Sequence, residues 1–461
     1  MKKETIQTAL PKQQLSLTDA IAIIVGIVIG AGIFGTPSLV AANTSDDTMF
    51  LLAWILGGVV SLMGALCYAE LTTTFPNAGG DYHFIRKAYG KQPAFLFAWA
   101  RMSIIQTGSI ALLAYIFGDY FTQIYSLGEF SSIIYAALVV IVLTAINIAG
   151  IGLGTAAQKI FTIAEVGGAL MIVVAGLFFI PEHAETAITV SETTNTSGSF
   201  MGLAMVFVLL TFGGWNEAAY ISAELKPGKM RMAKVLIISL AIITIVYFLM
   251  NIAYLKALGH NGMAQSKAVG ADLMELAWGT TGVWLIGVLV AISALTSANA
   301  TIFTGARTNY ALGNDYRVFS FLGKWNNQTS GPVNAFLLQA AISLALISLG
   351  LITRSGFETI IEYTAPVFWF FFLLVGIALF VLRKKEPNTY RPFRVPFYPI
   401  TPLIFCLSSA YLLYSSVMYT GMGALVGIGV LLIGIILLIL IKKLETRKTL
   451  KQEKIILTIH P

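Results

Sequence analysis

The sequence predicts an all-α membrane protein with twelve transmembrane helices. Of its 461 residues, 57% are hydrophobic and only 11% are charged, whereas soluble domains carry about 25% charged residues. Apolar runs of about 20 residues, long enough to cross about 30 Å of hydrocarbon, recur along the chain. Basic residues gather in every second loop. These observations exclude a soluble protein. They also explain the net charge of +7, because the surplus basic residues lie in loops that face anionic lipid. No nucleic-acid partner is needed to account for this charge.

Twelve apolar runs are the predicted spans, and their order defines the expected domains. The spans are residues 17–40, 50–68, 95–124, 131–149, 157–180, 200–223, 235–255, 283–310, 335–352, 365–382, 399–418 and 424–440. We expect a first five-helix repeat over residues 17–180 and a second over residues 200–382. The other expected parts are a cytoplasmic N-terminal tail (1–16), a basic cytoplasmic loop (383–398), helices 11 and 12 (399–440) and a cytoplasmic C-terminal tail (441–461).

The distribution of basic residues tests the number of spans, because one missed span would reverse the assignment of every later loop. With both termini in the cytoplasm, nearly all of the 29 basic residues fall on the cytoplasmic side. Lys256, Lys267 and Arg354 fall outside, and Arg101 lies within span 3. The expected location is therefore the cell (inner) membrane, crossed many times, with both termini cytoplasmic and membrane lipid around the helices.

Two spans contain glycine pairs near their middles. Span 1 contains Gly30 and Gly32, and span 6 contains Gly213 and Gly214. These positions correspond if spans 1–5 and 6–10 are two copies of one unit, and an odd number of helices per copy inverts the second copy. Broken helices at matching positions of inverted repeats are typical of transporter binding sites. Close packing of small residues would explain one such pair, but two matched pairs favour broken helices.

Unwound backbone inside a membrane offers free N–H and C=O groups, which are tolerated only around a polar cavity. The N–H groups at a helix start attract a carboxylate, and free carbonyl oxygens attract an ammonium group. One small zwitterion satisfies both. The glycine pairs therefore predict a binding site for a molecule with the charge pattern of an amino acid.

Several motifs resemble those of the amino acid–polyamine–organocation (APC) superfamily, particularly its L-amino-acid-transporter-like permeases. In chain order they are Gly30-Ala-Gly-Ile-Phe34, Cys67-Tyr-Ala-Glu-Leu71, Pro76-Asn-Ala-Gly-Gly-Asp-Tyr82, Phe212-Gly-Gly-Trp-Asn216, Ser297-Ala-Asn299 and Arg391-Pro-Phe-Arg-Val-Pro396. The resemblance implies a leucine-transporter-like fold with 5+5 inverted repeats. It also implies a secondary transporter that moves amino acids by alternating access, as an antiporter or a symporter, and not an enzyme.

The resemblance also implies where the substrate binds. Its carboxylate is expected to meet backbone N–H groups around Ala31 and Gly32, and its ammonium group the carbonyls near Val28 and Phe212. The position of the family's aromatic gate corresponds to Leu210, which is not aromatic. Phe212 or Trp215 of the span-6 motif is therefore expected to cover the substrate. The expected substrate-binding residues are Val28, Gly30, Ala31, Gly32, Leu210, Phe212, Gly213, Gly214 and Trp215.

Glu165 departs from the family pattern. In the similar permeases this span-5 position is Lys, at the place where sodium-coupled relatives bind sodium. An ionisable residue inside a span predicts a functional role. Three interpretations stay open: Glu165 carries a coupling proton, it forms a fixed ion pair with Arg101 at the same expected depth, or it binds sodium together with Ser297. Apart from this proton or sodium, no cofactor and no metal is expected.

Other functions stay open as well. The same fold could transport polyamines or inorganic ions, and a non-transporting membrane sensor is a further alternative, disfavoured by short loops. The charged residues after span 2 are expected to form a solvated cytoplasmic network, consisting of Glu70, Asp81, Arg86 and Lys87. Which amino acid is carried, and the oligomeric state, do not follow from the sequence.

Overall fold

The computed structural model describes residues 11–180, 201–228, 230–351 and 365–459, with side chains up to residue 443. Across these residues the regular structure is helical and no sheet is formed, which confirms the all-α class. The helices are α1 (Leu17–Val28), α2 (Thr36–Ala41), α3 (Asp47–Thr74), α4 (Asp81–Tyr89), α5 (Lys91–Ala100), α6 (Gln106–Ile124), α7 (Ser131–Ala149), α8 (Ile151–Val174), α9 (Met201–Thr211), α10 (Ala218–Ile221), α11 (Arg231–Gln265), α12 (Val269–Asp315), α13 (Val333–Leu349), α14 (Ala365–Lys385), α15 (Ile400–Thr420) and α16 (Ala424–Ile459).

Within the described residues, nine helical segments are long and apolar enough to cross a membrane. They are Asp47–Thr74, Lys91–Ile124, Ser131–Ala149, Ile151–Phe179, Met201–Ile221, Arg231–Gln265, Val269–Asp315, Ala365–Lys385 and Ile400–Lys443. Two shorter apolar helices, Leu17–Val28 and Val333–Leu349, fall at predicted spans 1 and 9. The chain is therefore a multi-pass membrane protein.

Local chemistry explains where the first helices begin. The Ser16 hydroxyl accepts a hydrogen bond from the Asp19 N–H, and the Asp19 carboxylate accepts one from the Ser16 N–H at 2.7 Å. This capping box satisfies backbone donors that have no partner within α1. The Asp46 carboxylate caps α3 in the same way, accepting a hydrogen bond from the Met49 N–H at 3.0 Å.

Ion pairs concentrate at one end of the helix bundle, which we call the basic end. Arg307 near the end of α12 binds Glu224 (Nη2–Oε2, 2.8 Å), and Arg383 at the end of α14 binds Glu70 (Nε–Oε1, 2.8 Å). Further pairs at this end join Arg391 to Glu70, Arg86 to Asp315, Lys159 to Asp19 and Lys87 to Glu386. The N-terminal segment joins the same surface, because the Leu15 N–H donates to the Glu224 carbonyl at 2.9 Å.

The network expected after span 2 is solvated only in part. Arg86 and Lys87 are partly exposed, but Glu70 and Asp81 are buried. Glu70 contacts two arginines, and Asp81 begins α4, a short helix where the sequence suggested only a loop. A buried carboxylate requires such partners because removing it from water is costly.

The buried Arg307–Glu224 pair predicts a large stability difference between two otherwise similar substitutions. Both side chains are at most 1% exposed, so Arg307→Met leaves an uncompensated buried carboxylate and is expected to cost about 3–5 kcal/mol. Lys159→Met breaks the more exposed pair with Asp19 and is expected to cost less than about 1 kcal/mol. Thermal unfolding of the purified variants measures both. Equal losses of stability in the two variants would show that groups other than Arg307 compensate the buried charge of Glu224.

Candidate substrate site

The first predicted helix break is present. α1 ends at Val28, Gly30 adopts an extended conformation (φ −98°, ψ −173°), and a 3₁₀ turn over Ala31–Phe34 leads to α2. The N–H groups at the start of that turn, on Ala31 and Gly32, have no acceptor within it. Both residues line a cavity, so these donors lie beside open space.

The second predicted break is also present. α9 ends at Thr211, Gly214 adopts a left-handed conformation (φ 110°), and a 3₁₀ turn over Trp215–Glu217 leads to α10. A β-carbon added at Gly214 would lie 2.7 Å from the Ile27 side chain of the first break. Glycine is required here both for the backbone angle and for this close approach.

Tyr247 of α11 joins the two breaks. Its hydroxyl lies 2.6 Å from the Val28 carbonyl oxygen and 3.2 Å from that of Thr211. The Val28 oxygen also accepts a hydrogen bond from the Gly30 N–H at 2.7 Å. A carbonyl has two lone pairs, so Val28, which was expected to receive the substrate ammonium group, already has two donors in this structure.

A cavity of about 470 Å³ lies between the breaks. Of the nine expected substrate residues, seven line it: Val28, Gly30, Ala31, Gly32, Leu210, Gly213 and Gly214. The other lining residues come mainly from the segment around Arg101, from α6, from α12 and from α14, and include Gln106, Ser109, Leu113, Ile116, Ser297, Thr301, Phe368 and Trp369.

The two aromatic residues expected to cover the substrate lie behind the cavity wall. The Phe212 ring is fully buried against Trp54 and Tyr247, with ring centroids 6.3 and 5.0 Å apart. The Trp215 ring packs against Tyr68 at 5.2 Å. The aromatic side of the cavity is instead formed by α14, through Phe368 and Trp369.

Arg101 does not pair with Glu165, so that interpretation is wrong. Arg101 lies in a π-helical turn between α5 and α6, and its Nη2 atom donates to both carboxylate oxygens of Glu217, at 2.8 and 2.7 Å. The guanidinium also lies over the Tyr220 ring, 4.2 Å from its centroid. Glu217 follows the second break towards the basic end, so this pair forms the floor of the cavity.

Glu165 contacts α12. One carboxyl oxygen of Glu165 lies 2.5 Å from the Ser293 hydroxyl, and the other is buried with no partner among the described residues. The same hydroxyl lies 3.1 Å from the Ile29 carbonyl oxygen in the first break. Ser297, one turn along α12, donates to the Gly26 carbonyl at 3.2 Å. Ser297 therefore contacts α1 directly, whereas Glu165 is linked to the first break through Ser293.

The sequence pattern of the amino acid permease family matches residues 15–441. The chain belongs to the amino acid permease family. The permease is therefore a member of the APC superfamily and transports amino acids, as the motifs indicated.

Two curated relatives illustrate the similarity. The permease is 29% identical to the human b(0,+)-type amino acid transporter 1 over 433 residues, which cover 90% of this chain and 86% of the relative. It is 28% identical to the mouse large neutral amino acids transporter small subunit 2 over 432 residues, which cover 92% and 80%. The similarity thus extends over nearly the whole membrane region.

Sequence reasoning missed several residues of this site in the permease, among them Glu217 and Tyr247. Glu217 is an ionisable residue three positions after Gly214 within a predicted span, so the rule applied to Glu165 could have identified it. Tyr247 carries no comparable signal, because tyrosine is common in packed membrane helices and its hydroxyl contacts depend on how α11 is rotated.

Proposed function

We propose that the permease is a secondary active transporter that carries amino acids across the cytoplasmic membrane by alternating access. The observation that carries the proposal is a pair of helix breaks, at Gly30 and Gly214, that meet around one cavity. Matched breaks of this kind are typical of transporters with inverted repeats. Family membership supports amino acids over polyamines, inorganic ions or a sensor function.

The proposed topology has twelve membrane-spanning helices in a leucine-transporter-like fold, with repeats over residues 17–180 and 200–382. Three features support this number. The broken pair α1–α2 is counted as span 1, α13 as span 9, and the segment Ile400–Lys443 as two spans, since α15 and α16 are separate helices. Added to the eight remaining segments, these make twelve.

The proposed orientation places the basic end in the cytoplasm, with both termini on that side. The positive-inside rule supports it. The floor of the cavity and the buried Arg307–Glu224 pair then lie between the cavity and the cytoplasm. In this orientation these two ion pairs close the cavity towards the cytoplasm.

The proposed substrate pose uses backbone groups of both breaks. The carboxylate accepts hydrogen bonds from the N–H groups of Ala31 and Gly32, next to Gly30. The ammonium group lies by the second break, near the carbonyls of Thr211 and Phe212, because the Val28 carbonyl already has two donors. Leu210, Gly213 and Gly214 complete the wall.

We further propose that a proton couples transport through Glu165. The Ser293 hydroxyl has one hydrogen but two acceptors within reach, Ile29 and Glu165. Each of the two contacts has its own hydrogen only if Glu165 is protonated. Glu165 then donates to the Ser293 hydroxyl, and Ser293 donates to the Ile29 carbonyl. Loss of the proton would turn the Ser293 hydroxyl towards the carboxylate, so that the Ile29 carbonyl would lose its hydrogen bond from Ser293. Proton binding at α8 is thereby linked to the first helix break.

Uptake by proteoliposomes tests the transport proposal. The purified permease is expected to take up labelled neutral amino acids, the solutes for which the mouse large neutral amino acids transporter is named. Unlabelled amino acids should compete, and an inward pH gradient should drive accumulation. The same vesicles with putrescine or chloride as the labelled solute are the control. Transport of these solutes without any of amino acids would overturn the proposal.

A further inference from the structure

The floor of the cavity is a largely buried ion pair. Arg101 and Glu217 both line the cavity, and their side chains are 4% and 10% exposed. A single nitrogen of Arg101, Nη2, makes both hydrogen bonds to Glu217. Within the described residues, the guanidinium Nε and the amide nitrogen of the adjacent Asn216 are buried without a hydrogen-bond partner. The floor thus has hydrogen-bonding groups that this part of the chain leaves unpaired.

Both polar and apolar side chains line the cavity. Gln106 begins α6 directly after the π-helical turn that contains Arg101, and its amide donates to the Thr301 carbonyl at 2.8 Å. Leu113 and Ile116, further along α6, and Phe368 of α14 supply apolar lining. The side chain of a substrate bound at the breaks can therefore contact either the polar floor or the apolar lining residues.

The floor is close to electrically neutral. The third ionisable group beside it is Asp81 of α4, which is buried behind the pair and is faced by Arg101, Glu217, Tyr68 and Tyr220. Burial raises the pKa of the Asp81 carboxyl to about 7, against the lowering effect of Arg101 and with the help of Glu217. Below that pH, Asp81 is uncharged, and the floor has one positive and one negative group.

A neutral pair favours a particular kind of side chain. A lysine side chain would bring a second cation beside Arg101, and a glutamate side chain would bring a second anion beside Glu217. An apolar side chain would expel water from the pair and leave its free edges unpaired, which costs about 1–3 kcal/mol per group. A carboxamide has an acceptor for Arg101 and a donor for Glu217 in one uncharged group.

We propose that Arg101 and Glu217 are specificity-determining residues that select amino acids with a carboxamide side chain, such as glutamine or asparagine. This inference rests on the proposed amino acid transport. It goes beyond that proposal by naming the class of substrate from the chemistry of the floor.

Four linear amino acids of similar length test the proposal: glutamine, methionine, glutamate and lysine. With the purified wild-type permease at pH 6, glutamine is expected to bind about tenfold or more tightly than methionine, and more tightly than glutamate or lysine. Ligand-induced thermal stabilisation gives the dissociation constants. Competition against labelled glutamine uptake in proteoliposomes gives an independent ranking.

The decisive variant is the double substitution Arg101→Met with Glu217→Leu. Replacing a buried ion pair by apolar residues of similar volume usually preserves folding, whereas either single substitution leaves an unpaired charge. The double variant is expected to reverse the preference, so that methionine binds more tightly than glutamine. The matched control is Arg307→Met with Glu224→Leu, which removes another buried Arg–Glu pair away from the cavity and should leave the ratio of the two dissociation constants unchanged.

The outcomes separate the two proposals. If the wild-type permease binds none of the amino acids, the transport proposal fails. If it transports amino acids but binds methionine, glutamate or lysine at least as tightly as glutamine, only the specificity proposal fails. An unchanged ratio in a folded Arg101→Met, Glu217→Leu protein would likewise overturn the role of the floor.

Discussion

Replacing Gly214 with valine is expected to lower amino acid uptake by about a hundredfold or more. Gly214 has φ 110°, a conformation that β-branched residues rarely adopt, and an added β-carbon would lie 2.7 Å from the Ile27 side chain. Relieving this overlap must shift Ile27 or the second break. Misplacement of binding groups by about 1 Å can cost about a hundredfold in rate, and the backbone strain adds about 1–3 kcal/mol.

The matched control is Gly35→Ala in the first break. A β-carbon added at Gly35 meets no atom of the described residues within 4 Å, and the φ angle of Gly35 is −127°. Uptake by this variant should stay within about twofold of the wild type. Thermal stability of both purified variants separates loss of binding from loss of folding. Wild-type uptake by a stably folded Gly214→Val protein would remove the argument that the substrate binds at the breaks.

Replacing Glu165 with glutamine is expected to abolish accumulation driven by a pH gradient while preserving exchange of substrate across the membrane. Glutamine resembles the protonated form of the carboxyl group, because its amide nitrogen can donate to Ser293 as the protonated acid would. The Ser293 hydroxyl then remains directed towards the Ile29 carbonyl. Transport continues, but no proton is bound or released at α8.

Exchange and gradient-driven uptake are measured in the same proteoliposomes, with substrate inside for the first and a pH step for the second. Thr162→Val is the control, because Thr162 also lies on α8 and donates to a helix-1 carbonyl, that of Ala22 at 2.9 Å, but does not titrate. It should retain pH-driven accumulation. If Glu165→Gln accumulates substrate as the wild type does, proton coupling at this residue is refuted. Accumulation that instead follows a sodium gradient would favour the sodium interpretation.

Hydropathy and glycine positions predicted much of this protein because both are local properties. An apolar run of about 20 residues predicts a membrane helix wherever it occurs. Gly30 and Gly214 lie at the two breaks, and Gly214 has a left-handed backbone (φ 110°) that side chains restrict, whereas Gly30 is extended. The motifs around them identified the family, which the match over residues 15–441 confirmed.

The error about Arg101 shows where such reasoning ends. Arg101 and Glu165 were expected to pair because they lie at similar depths along spans 3 and 5. Depth along a helix follows from a rise of about 1.5 Å per residue, but the direction of a side chain around the helix does not. Arg101 faces α10 and binds Glu217, whereas Glu165 faces α12 and binds Ser293.

The sequence by itself determined the membrane class, the nine long apolar helical segments of the described residues and the two breaks, since each depends on residues close together in the chain. Its motifs also identified the amino acid permease family. Only the tertiary structure decided which groups meet across the bundle. It placed the Tyr247 hydroxyl on both breaks, the Arg101–Glu217 pair on the cavity floor and Glu165 beside Ser293. The physical reason is that a partner for a buried polar group must lie within about 3 Å, and helix rotation and crossing decide that distance.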